Sequence, residues 1–310
     1  VKGWAIVHEH VHRRERYFLL DQGEGPSIDQ DREVSQETIQ ARIFVNLPKA
    51  GRQGEILKKL FPSQPLAPQL EDAIEAALQT DHQAWELPPA PKAPLPDRRT
   101  SDPRMAEDLN GVMDEATARI AKAVRERRAS EFNSSELFLS VHHREQHLSN
   151  GLVHRSSQSR IYLESAYSFS KRGQNRAGNA ELLSDEYLNT RWAVNLDDLG
   201  VNESFSETAE RAEHSLDCLK PAPGRYSVLI DADVLATLFN GHLSQLSASN
   251  SYNGLPFLKP GSELIPGARG ELITLTLDPE LDFGADTAAV SEQGVAQVRL
   301  PLVKANQVIA

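Results

Sequence analysis

The spacing of apolar residues changes character several times along the chain. "QLEDAIEAALQ" places Leu70, Ala73, Ile74, Ala77 and Leu78 at i, i+3, i+4, i+7 and i+8, the stripe of an amphipathic helix. "RMAEDLNGVMDEATARIAKAVRERR" repeats that pattern at greater length. There Leu109, Val112, Met113, Ala116, Ile120, Ala123 and Val124 share a side, and Arg125, Arg127 and Arg128 suit the C-terminal end of the helix dipole. Near the start, "YFLLD" and "TIQARIFVNL" have the β-branched and aromatic content of strands, with turn chemistry in "GEGPSID" between them. "GRQGEILKKLF" is expected to be a short helix stopped by Pro62. After the long helix the period falls to two. "SELFLSVHH", "NGLVHRSS", "RIYLESAYSFSK" and "TRWAVNL" are expected as successive antiparallel strands, with a turn at Ser149–Gly151. "SFSETAERAEHSLDCLK" returns to helix, and "PAPGRYSVLID" reads as a buried strand. A further helix spans "DADVLATLFNGHLSQLSA", and the last part of the chain is strand-rich.

The prolines of "ELPPAPKAPLPDRRTSDP" sustain neither helix nor central strand, so Glu86 to Pro103 reads as an extended linker. The expected organisation is an α/β domain over 1–90, a Pro-rich linker over 91–103, a helix with antiparallel strands over 104–225, and a strand-rich domain over 226–310. The class is α+β, a mixed N-terminal domain followed by a part rich in antiparallel sheet.

No apolar run reaches the roughly 18–20 residues that span a bilayer, and the first residues lack a secretory h-region. A single cysteine, Cys218, excludes an internal disulfide framework and fits a reducing cytoplasm. Its place on a helical pattern beside Leu219 favours a packed residue over a nucleophile. A formal net charge of −11 argues against nucleic acid as the main partner. Between 144 and 176 the balance is locally basic, with Arg144, Arg155, Arg160, Lys171, Arg172 and Arg176 against Glu145 and Glu164. That is read as a solvated sheet face.

Candidate chemistry is sparse. His8, His10 and His12 fall on one face of a strand, with neighbouring imidazoles about 7 Å apart. Such a ladder can hold zinc when another element closes the site; otherwise it is an exposed strand face. His142, His143 and His147 offer a second, weaker group. No phosphate loop and no GxSxG elbow is present, and the carboxylates are scattered.

Several segments nevertheless occur in a familiar order. "ARIFVNLPKAGRQGEI" and "LEDAIEAALQ" lead to "WELPPAP", then to "LSNGLVHRSSQSRIYLESAYSFS", "ETAERAEHSLDCLKPAPGRYSVLID" and "GELITLTLDPELDFGADTAAVSEQGVAQVRLPLVKANQVI". Over about residues 40–310 this resembles the TldD/PmbA family, whose older name is modulator of DNA gyrase. The resemblance implies two kinds of subunit. TldD-like chains carry an HExxxH helix that supplies zinc ligands and a catalytic Glu. TldE (PmbA) chains share the fold, lack that motif and pair with a TldD chain. Laid on "TLFNGH", the motif puts Thr237 at the first His and Leu238 at the Glu, and only His242 survives. Leucine has no donor atom, and one histidine leaves too few ligands for a tetrahedral site. His242 also falls on the stripe Leu235, Leu238, Phe239, His242 and Leu246, so a packed, hydrogen-bonded histidine is expected.

What the resemblance implies is a catalytically silent subunit of a heteromeric zinc metallopeptidase that processes unfolded peptides in the bacterial cytoplasm. The chain itself is expected to hold no catalytic residue, metal or cofactor; zinc belongs to a TldD-like partner. Neither nucleic acid nor membrane is an expected partner, and homo-oligomers remain open. Strands between Glu136 and Ser170 are the expected scaffold or substrate surface. Two alternatives stay open: a homo-oligomeric peptide-binding scaffold, and an independent metal-dependent hydrolase using His8, His10 and His12 or His142 and His143. The family's DdEG stretch stands here as "SEQG", Ser291 to Gly294, which weakens any role for its acids. The family usually continues beyond the point where this sequence reaches Ala310. A short relative, a fragment and an incompletely given polypeptide all remain open.

Overall fold

A computed structural model describes all residues except 22–24, 128–130, 175–179, 216–220, 256–257, 285 and 310, and leaves the side chains of 21, 171–185, 233 and 252 undescribed. Cys218, Arg128 and Arg176 thus lie outside the described residues, and Lys171 and Arg172 are described by backbone alone.

Among the described residues the chain divides into two compact units, one of 1–218 with 282–296 and one of 219–281 with 297–310. The first is organised by a seven-stranded sheet in the order β4-β3-β2-β1-β5-β6-β7. Its strands are β1 (Gly3–Asp21), β2 (Gly25–Asn46), β3 (Arg52–Leu60), β4 (His82–Gln83), β5 (Phe132–Leu148), β6 (Val153–Gln174) and β7 (Ala180–Ala193). Every neighbouring pair is antiparallel. The 22 residues of β6 make it about 70 Å long. "NGLVHRSS" and "RIYLESAYSFSK", expected as two strands, are parts of this one.

Even-numbered β1 residues point to a single face, and that face carries the helices. Arg16 lies opposite Leu137, and Ile6 lies opposite Ala41. At one end Phe18, Leu137, Leu139, Val141, Ile161 and Leu163 pack under α3 (Leu109–Glu126) and α4 (Val201–Ser215). At the other end Ala41, Ile43, Val45 and Leu60 pack under α1 (Leu66–Leu78). The predicted stripe of α3 is buried in full, from Leu109 to Val124. The helix is cut from α2 (Pro103–Glu107) by Asp108, whose carboxylate accepts from Gly111 N at 2.8 Å and caps α3.

"GRQGEILKKL" is strand β3, not a helix. Its pairing with β2 from Asn46–Gln53 to Ile39–Leu60 overrides the local helical spacing. Gly54 is required there, because a Cβ would stand 1.9 Å from Ala77 O at the end of α1.

The second unit holds α5 (Ala232–Gln245), α6 (Ala248–Tyr252) and a three-stranded sheet in the order β10-β9-β8. These strands are β8 (Leu275–Leu277), β9 (Leu300–Lys304) and β10 (Gln307–Val308). Its small core is Leu258, Leu264, Val303 and Val308. Residues 221–230, expected as a buried strand, have no strand pairing and are exposed, Leu229 completely. Among the described residues no helix is long and apolar enough to cross a membrane.

Candidate functional site

The degenerate motif positions all lie on α5. The helix starts at Asp231, whose carboxylate accepts from Val234 N at 2.9 Å. Phe239 and Leu246 pack on the small core, whereas Leu235 and Leu238 face outwards, at 43% and 56% exposure. The expected stripe is therefore packed on one flank only. His242 is half-buried, with its ring 5.9 Å from that of Phe239. Its Nδ1 is buried without a hydrogen-bond partner among the described residues, so the packing is present and a bond at that nitrogen is not. Thr237, Leu238 and His242 offer a hydroxyl, a hydrocarbon and an imidazole. This donor set does not fit a zinc centre, which needs at least three strong protein ligands.

The first unit places histidines of β1, β5 and β6 on both faces of its sheet. His8, His10 and His12 share the helix-bearing face, and His143 stands opposite His10 on β5. Each rung has its own partner on β2: His8 Nε2 to Glu37 Oε1 at 2.7 Å, His10 Nε2 to Ser35 Oγ at 3.0 Å, and His12 Nε2 to Glu33 Oε1 at 2.8 Å. The ladder is thus knitted to three different side chains instead of converging on one point. Among the described residues no group of three or more His, Cys, Asp or Glu side chains is placed to hold a metal ion.

On the opposite face lies a cavity of about 440 Å³. Its floor is Glu9, His142, Arg144, Gln146 and His154; its walls are residues 96–101 and 287–290. Here the end of the proline-rich segment is hydrogen-bonded to the sheet. Ser159 N donates to Thr100 O at 3.0 Å, and Thr100 Oγ1 donates to Ser157 O at 2.6 Å, along the edge of β6 that β7 leaves open. Phe283 N in turn donates to Arg99 O at 2.7 Å. The "SEQG" stretch is a turn pinned to the sheet by Gln146 Nε2, which donates to Glu292 O at 2.6 Å. The Glu292 carboxylate faces Arg42 and Arg144 at 3.6 and 3.7 Å.

Burial pushes the His142 imidazolium pKa down, against the opposing pull of Glu9. Burial and Arg144 do the same at His154. Glu145 is held at about 2 by Arg155 and His147. The cavity thus presents imidazoles, guanidinium groups, the Glu9 carboxylate, and amide and hydroxyl groups. These are binding groups; Ser140 Oγ lies 3.2 Å from His142 Nε2, and His142 Nδ1 lies 3.6 Å from Glu9 Oε1. His154 and the 96–101 wall escape sequence reasoning, since a proline-rich run carries no sign of which sheet edge it will line.

No protein-family profile and no curated protein sequence matches the chain. Solved structures do. A protein of Bacteroides thetaiotaomicron described as a modulator of DNA gyrase superimposes with a TM-score of 0.75 at 16% identity, over 99% of this chain and 67% of its own. A Thermotoga maritima protein of the same description gives 0.69 at 17%, over 99% and 66%. TldE of Thermococcus kodakarensis gives 0.68 at 15%, over 99% and 65%. The chain spans about two thirds of the length of these structures. Its fold, a long antiparallel sheet with helices on one face and a second small unit, is that of the TldD/PmbA proteins.

Proposed function

We propose that this chain is a TldE/PmbA-like subunit without catalytic residues of its own, acting with a TldD-like zinc-bearing chain in a peptidase for unfolded peptides. The observation that carries this reading is α5. Where the TldD-like motif has its first histidine and its glutamate, this helix has Thr237 and an exposed Leu238. No carboxylate at that position can take a proton from a metal-bound water. The fold likeness to TldE supports the assignment. The cavity of hydrogen-bonding side chains supports a part in holding peptide.

The test is co-expression with a TldD-like chain from the same genome, followed by size-exclusion chromatography and metal analysis. The expected result is co-elution, with zinc following the partner and peptide cleavage only in the mixture. Separate elution overturns the heteromer, and peptide cleavage by the purified chain alone overturns the silent subunit. A stand-alone peptide-binding scaffold is the second reading, favoured by the exposed sheet face described next. It predicts a homo-oligomer that binds peptide without any zinc-bearing chain.

A further inference from the structure

Four aromatic rings cross the sheet on the face opposite the helices. Tyr17 of β1, Phe138 of β5, Tyr162 of β6 and Trp192 of β7 stand side by side, with ring centroids 5.4, 5.4 and 4.7 Å apart. The register places them there. Phe138 pairs with Tyr162 and Tyr162 with Trp192, while Tyr17 sits one step along the strand from Phe138's partner Glu15. Across four strands the row is about 14 Å long, the length of roughly four extended residues. Trp192, at its outer end, is 65% exposed.

A second row runs beside it. Glu136 lies directly opposite Glu164 on β6 and Tyr17 on β1. Tyr162 Oη donates to Glu164 Oε2 at 2.7 Å. Glu15 is tied to Arg13 at 2.8 Å. Glu136 has no hydrogen bond or ion pair among the described residues, and no cation there pairs with Glu164. Two like charges directly opposed across strands are destabilising unless a cation joins them. The molecule itself shows what such a strip accepts: the Arg32 guanidinium lies over the Tyr17 ring, 5.2 Å from its centroid. Between Phe138 and Trp192 the same combination of ring faces and carboxylates has no such occupant among the described residues.

We propose that Phe138, Tyr162 and Trp192, with Glu136 and Glu164, form a subsite for an arginine or lysine side chain of an extended peptide. Ring quadrupoles and carboxylates both favour a cation. A flat guanidinium stacks on the ring faces while its N–H groups turn to Glu164, two residues along β6 from Tyr162, and to Glu136 opposite it on β5. The inference rests on the peptide-handling part of the proposed function and adds a preference to it. It leaves the zinc-bearing partner out of account.

Anisotropy of fluorescein-labelled, end-blocked octapeptides on the isolated chain tests it. One peptide carries two arginines; the control carries citrulline, neutral and of the same shape. The expected result is about tenfold tighter binding of the arginine peptide. Trp192→Ala and Glu164→Gln should each abolish that preference, while Trp4→Ala, an exposed tryptophan off the strip, should keep it. Equal binding of the two peptides overturns the subsite, as does a preference that survives both strip variants. A shift to smaller size on Trp192→Ala also overturns it, by showing that a second copy covers the row. Because no partner chain is present, failure here is separate from failure to co-elute with a TldD-like protein.

Discussion

Gly54 shows how tightly one atom can be specified. Its strand runs beneath the end of α1, and an added Cβ would lie 1.9 Å from Ala77 O, 2.7 Å from Ala77 C and 2.8 Å from Val45 Cγ2. Two of these neighbours are backbone and cannot swing aside, so Gly54→Ala must push helix and sheet apart. Overpacking of this kind costs about 1–3 kcal/mol. Gly241 makes the contrast. It sits within α5 with nothing within 4 Å of its absent Cβ. Alanine there lowers the entropy of the unfolded chain and should stabilise by about 0.5–1 kcal/mol. Urea unfolding of both variants checks the pair; equal effects of the same sign would refute the contact argument. Sequence spacing alone hides this difference, since both glycines interrupt apolar patterns. Only the neighbour in space distinguishes them.

Strand pairing creates chemistry that no single segment contains. On β5, burial raises the Glu136 pKa, and Glu164 and Glu15 raise it further. A carboxyl whose pKa is higher folded than unfolded binds its proton more readily in the native state. Its contribution to stability is therefore complete below the ordinary glutamate range and is lost as pH rises through the folded pKa. Glu136→Gln, which cannot ionise, should melt higher than the wild type at pH 7, and that advantage should vanish by pH 4. Melting curves at the two pH values decide it; an equal or lower melting temperature for the variant at pH 7 sinks the argument. The helices α1, α3 and α4 could be read in the sequence because each buries one flank and repeats every 3.6 residues. The sheet was harder. Much of β2 from Asp29 to Glu37 is exposed, so no alternation marks it, and its pairing with β1 carries the strand through. The aromatic row is not legible in the sequence, because its four rings come from four separate strands. That α5 carries no HExxxH run, by contrast, is plain from the letters, since a motif on one helix needs no tertiary contact to be read.

At the level of the whole molecule, charge decides between partners. The chain carries 33 Lys and Arg against 44 Asp and Glu, a formal net charge of −11. Among the described residues several basic side chains are already engaged. Arg14 bridges Asp31 and Glu33, Arg16 binds Asp31 and Asp114, and Arg155 grips Glu145 through its Nε at 2.9 Å. Phosphate recognition would require breaking these pairs and bringing a polyanion towards a surface that repels it. The structural likeness to proteins described as modulators of DNA gyrase is one of fold, and the charge balance disfavours a nucleic-acid partner. Duplex DNA at about 0.15 M salt should show no binding tighter than the non-specific range of about 10⁻⁴ to 10⁻⁶ M. Its residual affinity should lack the steep salt dependence that counterion release imposes. An electrophoretic or anisotropy titration at two salt concentrations makes the measurement. A submicromolar complex that weakens steeply with salt would reveal a basic surface these pairings do not leave. The same negative field draws a cationic peptide towards the molecule, and the opposed Glu136 and Glu164 give that attraction a place to end.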